Sequence, residues 1–351
     1  MKIIKNAIKA VAFFLAIIAT LLVVLQLMPT KTDKVEGINA ISSLESVLIG
    51  DVEQWLTIRS ENNSNPILLY LHGGPGMGYI PFGSDFNSII EKHFVVVHWD
   101  QRGAGKSCDS GTPNSTLNIE QYLMDTFELV NYLRKRFNQQ KIYLVGHSWG
   151  SILGVKMAQR YPELFHAYVG IGQVVDMNRG ETISYQFVLD KATKENNEKA
   201  IKGLAKIKPP YATIDELLVQ RQWLAKYFGD RLSGDSAVKL LTGVLLASEY
   251  TLSEKFSYYS CVMNSLEHLW GDLQKVDFIS SVQSFDLPVY FFVGKHDYNT
   301  PSILVEEWAR QISAPKLKLV WFEESAHYLS SEEPIKFQRE LIDLLVDEDK
   351  P

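Results

Sequence analysis

Hydrophobic positions along this chain fall into three patterns. Residues 10–28 (AVAFFLAIIATLLVVLQLM) form an apolar run broken only by Thr20 and Gln26. From 45 to 60, apolar and polar residues alternate with the period of two that predicts a hairpin of half-buried strands, and the Asn/Ser cluster 61–66 then reads as a turn. Further on, short solid apolar runs at 67–71, 94–97, 142–145, 167–171, 289–293 and 317–322 are rich in Val, Ile, Tyr and Phe. Unbroken runs of that kind are how strands buried on both faces of a parallel sheet read. Between them lie helix-period stretches at 117–137, 149–161, 300–312 and 333–346, the third opening with Thr300 as N-cap and Pro301 at the first helical position.

Strands alternating with helices predict an α/β fold: a mostly parallel central sheet flanked by helices. Residues 175–284 interrupt the rhythm. They offer no clear buried strand but have helical periods at 183–194, 214–227 and 237–246, with a break at Pro209-Pro210. The expectation is a helical cap inserted over the sheet. The domain scheme is then an N-terminal anchor (1–30), a polar linker (31–44), a core in two parts (45–174 and 285–348) and the cap between them (175–284).

As a helix, the run 10–28 would span about 28 Å, close to the hydrocarbon thickness of a bilayer. Lys2, Lys5 and Lys9 precede it, and Lys31 and Lys34 after it are offset by Asp33 and Glu36. This bias predicts a single-pass transmembrane helix with a cytoplasmic N-terminus and an extracytoplasmic remainder. A cleaved signal peptide is the alternative, although the run exceeds the usual h-region and no A-x-A site closes it.

Composition narrows the functional classes. The 351 residues carry a net charge of −6 with 46% hydrophobic and 22% charged residues, ordinary for a globular core. With no dense Lys/Arg block in the soluble part, nucleic acid is not an expected partner. Cys108 and Cys261 form either one bridge or two free thiols. No histidine pair has metal-ligand spacing, so neither metal nor cofactor is expected.

Gly146-His147-Ser148-Trp149-Gly150 fits G-x-S-x-G, with a strand entering it and the apolar stretch 152–157 leaving it. That is the strand–turn–helix context of a nucleophile elbow. His72-Gly73-Gly74-Pro75-Gly76 follows the strand 67–71, where backbone N–H groups can turn toward such a serine. Gly74, with Gly73 as the alternative, and Trp149 are the expected oxyanion donors. Asp100-Gln101-Arg102-Gly103-Ala104-Gly105-Lys106-Ser107 is no P-loop, because position 100 is Asp, and no dinucleotide fingerprint, because position 108 is Cys. It reads as a structural turn in which Asp100 and Arg102 brace the neighbouring loops.

A serine nucleophile needs a base, and the base an orienting acid, in the chain order Ser, Asp/Glu, His. Asp297 lies just past the strand 289–293 and His327 just past 317–322. Glu323 or Glu324 could replace Asp297 as orienter, whereas His147 and His296 are poorly placed to act as the base. All three candidates, Ser148, Asp297 and His327, fall at the C-terminal edge of the sheet, where open α/β sheets place their sites.

Together, His72–Gly76, 100–107 and GHSWGS at 146–151 resemble the prolyl aminopeptidase (proline iminopeptidase) branch of the α/β-hydrolases, over roughly residues 45–345. The resemblance implies a serine hydrolase acting on a small molecule or short peptide through an acyl-enzyme. It further implies release of an N-terminal proline or similar residue, with acidic cap residues holding the free amine. Glu181, Asp215, Glu216 and Glu249 are the acids available in the cap. An esterase or amidase without amine recognition is the rival, and a non-catalytic membrane-bound binding protein a more distant one. Nothing in the chain speaks to its oligomeric state.

Overall fold

The computed structural model describes residues 28–83, 89–108, 111–232 and 236–346, together with nine positions between Val11 and Gln26. The predicted anchor therefore falls largely outside the described residues. Among those residues, no helix is long and apolar enough to cross a membrane.

Eight strands form one sheet in the order β1-β2-β4-β3-β5-β6-β7-β8. They are β1 (Ile41–Ile49), β2 (Val52–Ser60), β3 (Ile67–Leu71), β4 (Val95–Asp100), β5 (Ile142–His147), β6 (Phe165–Ile171), β7 (Val289–Gly294) and β8 (Leu317–Phe322). β2 pairs antiparallel with β1 and β4, and every other pairing is parallel. The hairpin starts four residues before the predicted alternation, because Ser42 and Ser43 hide the strand period inside an apparent polar linker. Its turn is Gly50-Asp51, with both residues at positive φ (55° and 63°), as a two-residue type I′ turn demands.

The solid apolar runs have a direct cause. In β3, Leu69 and Leu71 pack into one core layer, while Leu68 and Tyr70 pack into the other. The first layer lies under α1 (Ile119–Arg136) and α2 (Trp149–Arg160); the second receives Phe337, Leu341 and Leu345. Truncating a fully buried strand leucine such as Leu144 to alanine would cost about 2–5 kcal/mol.

Between β6 and β7 the described residues form helices: α3 (Met177–Lys194), α4 (Glu198–Leu204), α5 (Ile214–Lys226), α6 (Ser236–Leu246) and α7 (Leu252–Leu273), then one turn at Phe278–Ser281. The ends of this excursion are tied together: Met177 N–H donates to Val276 O at 3.0 Å and Phe278 N–H to Val175 O at 2.8 Å. It has its own small core of Val188, Ala192, Leu204, Trp223 and Leu224. The 22-residue α7 has no counterpart in the periodicity reading, yet its start is marked in the sequence by a Thr251/Glu254 capping box.

Beyond β7, α8 (Ser302–Ala309) is shorter than the predicted 300–312, and its N-cap is Pro301 rather than Thr300. The Thr300 hydroxyl instead donates to the Asp297 carboxylate. The chain closes with α9 (Pro334–Val346) after β8. Cys108 and Cys261 form a disulfide that joins the turn after β4 to α7, which decides between the two readings the sequence allowed.

Candidate active site

The elbow lies where β5 becomes α2. Ser148 adopts φ 53°, ψ −118°, a conformation rare for any residue with a side chain. Its backbone is held there by Ser148 N–H donating to Ile171 O at 2.9 Å and Ser151 Oγ donating to Ser148 O at 2.6 Å. A Cβ at Gly146 would stand 2.6 Å from Gly150 O, which is why the turn needs glycine on the strand side. Ser148 keeps 9% of its surface exposed at the head of α2. Trp149 opens that helix, so its backbone N–H belongs to the first turn, where no intrahelical acceptor exists.

The next two candidates meet directly. His327 Nδ1 lies 2.8 Å from Asp297 Oδ2, and both side chains are buried. Asp297 Oδ1 accepts from the N–H groups of Asn299 (2.8 Å) and Thr300 (2.9 Å), while Thr300 Oγ1 donates to Oδ2 at 2.9 Å. The same hydroxyl is 3.1 Å from His327 Nδ1. The carboxylate is thus fixed from three sides before it meets the imidazole. His327 N–H donates to Asp230 O at 2.9 Å, and His147 Nε2–H donates to His327 O at 3.1 Å. Burial, then the proximity of His327, pushes the His147 imidazole down to about 3, so it is a neutral clamp. Gly172 joins the two halves of the site. It follows the Ile171 that binds Ser148, has φ 49°, and a Cβ on it would stand 2.8 Å from His327 Nδ1.

The other weighed candidates lie elsewhere. Glu323 is exposed and pairs with Lys295, Glu324 is exposed, and His296 is exposed. None of the three hydrogen-bonds to His327.

The loop 72–76 runs alongside the elbow: a Cβ on Gly73 would lie 3.2 Å from Ser148 Cβ, and Gly74 has φ 117° ahead of a cis bond to Pro75. His72 Nδ1–H donates to Gly73 O at 2.7 Å, and its Nε2 accepts from Gln101 N–H at 3.1 Å. Burial holds His72 down at about 4, so it serves this loop as a neutral hydrogen-bonding wedge. Gln101 also accepts from Trp149 Nε1 at 2.9 Å, tying the elbow to the 100–107 turn.

In that turn, Arg102 makes a two-pronged buried contact with Asp125 (2.7 and 2.9 Å). Asp100 accepts from the N–H groups of Tyr79, Ile80 and Lys106 and from the Tyr250 hydroxyl. Burial nevertheless pushes its carboxyl up to about 6. The turn is also latched to α7 through Lys106 Nζ to Glu254 (3.0 Å), Ser265 Oγ to Gly103 O (3.0 Å) and the disulfide.

A cavity of about 570 Å³ adjoins the site. It reaches Met77, shortly after the glycine loop, and Tyr328, whose ring stands edge-on to His327 at 5.3 Å between centroids. The Arg231 guanidinium lies 3.9 Å over the Tyr328 ring centre, and Glu249 and Asp33 contribute acidic groups to the wall. Of the cap acids considered from sequence, only Glu249 is in this wall. Glu181 is paired with Arg221, and Glu216 accepts from Ala212 N–H at the start of α5. A second cleft, beside Thr300 and Glu181, has room for about 20 Å³ only.

Sequence reading passed over Thr300, Gly172, Gln101 and Asp230. Thr300 had a visible signal, a hydroxyl three residues after an acid at a strand end, but its Thr-Pro context pointed to a helix cap. Asp230 had none, since its part is played by a backbone carbonyl.

Known proteins place these features in a family. The family described as alpha/beta hydrolase fold matches residues 66–334. A probable aminopeptidase, YbaC of Bacillus subtilis (strain 168), is 31% identical over 305 residues, covering 86% of this chain and 96% of that protein. A probable proline iminopeptidase of Leptolyngbya boryana is 34% identical over 110 residues, 30% of this chain and 32% of that protein. Among solved structures, proline iminopeptidase from Mycobacterium smegmatis superposes with a TM-score of 0.63 at 19% identity, over 88% of this chain and 99% of that one, a likeness of fold. On the family match and the full-length relative, the chain belongs to the α/β-hydrolase fold family.

Proposed function

We propose that the protein is a serine hydrolase that cleaves an amide or ester bond through an acyl-enzyme. His327 takes the Ser148 proton as Oγ attacks the substrate carbonyl, and Asp297 holds the imidazole in the tautomer that can accept it. The backbone N–H groups of Trp149 and Gly74 carry the oxyanion. His327 then returns the proton to the leaving group, and water, deprotonated by the same imidazole, frees Ser148. The observation that carries this reading is the Asp297–His327 pair at 2.8 Å, gathered with the strained Ser148 elbow around Gly172.

The finer reading is an aminopeptidase that releases an N-terminal proline or similar residue. The YbaC relative supports it, as does Glu249, an acidic group in the cavity wall that a substrate amine could meet. The rival esterase or amidase draws support from the apolar side chains in that wall, among them Met77, Pro81, Phe82, Leu240 and Leu246. We further propose that residues 10–28 tether the catalytic domain on the extracytoplasmic side of a membrane.

Ser148→Ala should fold normally and lose all labelling by a fluorophosphonate probe; full labelling of that variant would remove Ser148 from its role. Proline p-nitroanilide, its N-blocked analogue and p-nitrophenyl acetate separate the finer readings. Dependence on the free amine supports the aminopeptidase, and preference for the plain ester supports the rival.

A further inference from the structure

The end of the predicted anchor and the residue that follows it are hydrogen-bonded to the cap. Gln26 Oε1 accepts from Ser253 N–H at 2.9 Å, and its Nε2 donates to Ser253 Oγ at 3.1 Å. Lys31 N–H donates to Ser248 O at 3.1 Å, and Ser248 Oγ donates to Lys31 O at 2.9 Å. Arg59 then grips Thr32 Oγ1 at 2.9 Å. The apolar N-terminal run therefore leaves the molecule beside the end of α6 and the start of α7.

An apolar surface lies at that exit. α6 (SAVKLLTGVLL) has a single charged residue in its sequence. Val244 on its inner face packs with Ile80, Tyr250 and Tyr258. Val238, Leu241 and Leu245, spaced by three and seven residues on one helical face, are exposed instead. Phe256 is exposed one turn beyond the Ser253 that holds Gln26, and Val23, Val24 and Met28 are exposed on the N-terminal side. An exposed apolar helix face near the point where a bilayer-length apolar run is attached fits a lipid surface as its cover.

The same region lines the cavity. Its wall includes Met77, Pro81, Phe82 and Leu240, and its rim includes Leu246, 82% exposed, and the exposed Asp33. At about 570 Å³ it is within the usual range for small-molecule sites.

We propose that α6 rests on the bilayer held by residues 10–28, and that the cavity admits the acyl chain of a membrane-resident amphiphile, whose ester or amide carbonyl is thereby delivered to Ser148. This inference rests on the hydrolase reading above for its substrate half; the docking half rests on the proposed tether by residues 10–28 and not on that reading. In chemical terms Ser148 Oγ becomes acylated, the leaving alcohol or amine takes the proton from His327, and water completes the cleavage.

The test uses the full chain reconstituted into phosphatidylcholine vesicles. Both native cysteines are paired, so Leu241→Cys supplies one free thiol for a nitrobenzoxadiazole fluorophore. That probe should emit to the blue of the same label at Met124→Cys on α1 and be quenched by spin-labelled lipid. Equal emission and quenching at the two positions would overturn docking. Leu241→Glu/Leu245→Glu should lower kcat/KM for vesicle-borne p-nitrophenyl dodecanoate at least tenfold, with soluble p-nitrophenyl acetate unchanged within twofold. Undiminished dodecanoate turnover, or equal loss on both esters, overturns the role of α6 in substrate entry. Failure of Ser148 to take a fluorophosphonate in the wild-type chain would defeat the hydrolase reading, and the fluorescence would still decide docking.

Discussion

At the residue scale, the site depends on hydrogen bonds that set directions more than on unusual groups. Thr300 is the clearest case. Its hydroxyl contacts both Asp297 Oδ2 and, at 3.1 Å, His327 Nδ1, and hydrogen bonds to charged groups contribute about 1.5–3 kcal/mol. Thr300→Val keeps the shape and should lower kcat roughly 10- to 100-fold with KM little changed, read by steady-state kinetics on whichever substrate the panel selects. Thr300→Ser should restore most of the rate. His147 makes a pH-dependent prediction. Its folded pKa, about 3, is below the ordinary 6.5, so as pH falls the unfolded chain takes up the proton first. Its contribution is fully present above about 6.5 and is lost as pH falls toward 3. Relative to His147→Gln, which does not titrate, the wild type should lose about 2–3 kcal/mol between pH 7 and pH 4, measured as the difference in urea unfolding free energy.

At the element scale, the turn after β4 and helix α7 act as one piece. Lys106–Glu254, Cys108–Cys261 and Ser265–Gly103 join them at three points, and Tyr250, just ahead of α7, bonds Asp100 at the end of β4. The same turn holds His72 and Trp149 through Gln101. Any cap motion that admits substrate is therefore expected in α3–α6 and their loops rather than in α7. The disulfide closes a loop across 153 positions, so the Cys108→Ser/Cys261→Ser variant should lose about 2–5 kcal/mol of stability. Amide exchange in α7 should quicken in that variant more than exchange in β5.

At the scale of the whole molecule, the disulfide is compatible with the extracytoplasmic tether proposed above. Disulfides persist in oxidising surroundings outside the cytoplasm, the side to which the Lys-flanked run would send the rest of the chain. Protein expressed with its N-terminus intact should show no thiol reactive to maleimide before reduction. A C-terminal tag should be cleaved by protease added to intact spheroplasts; a protected tag would count against the outward orientation.

The order and type of the core elements were legible in the chain because strands buried on two faces must be apolar throughout, and helices between them must show a 3.6 period. β3 and β8 occupy the predicted residues, and Ser148, Asp297 and His327 stand at strand ends as their spacing implied. That is local information, fixed by backbone geometry and burial. Only the folded chain could decide that Asp297 rather than Glu323 meets His327, that Cys108 and Cys261 pair, that Thr300 serves a carboxylate instead of a helix, and that Gln26 and Lys31 are tied to the cap. Each of these joins groups brought together by chain crossings, and sequence periodicity has no term for contacts between distant segments.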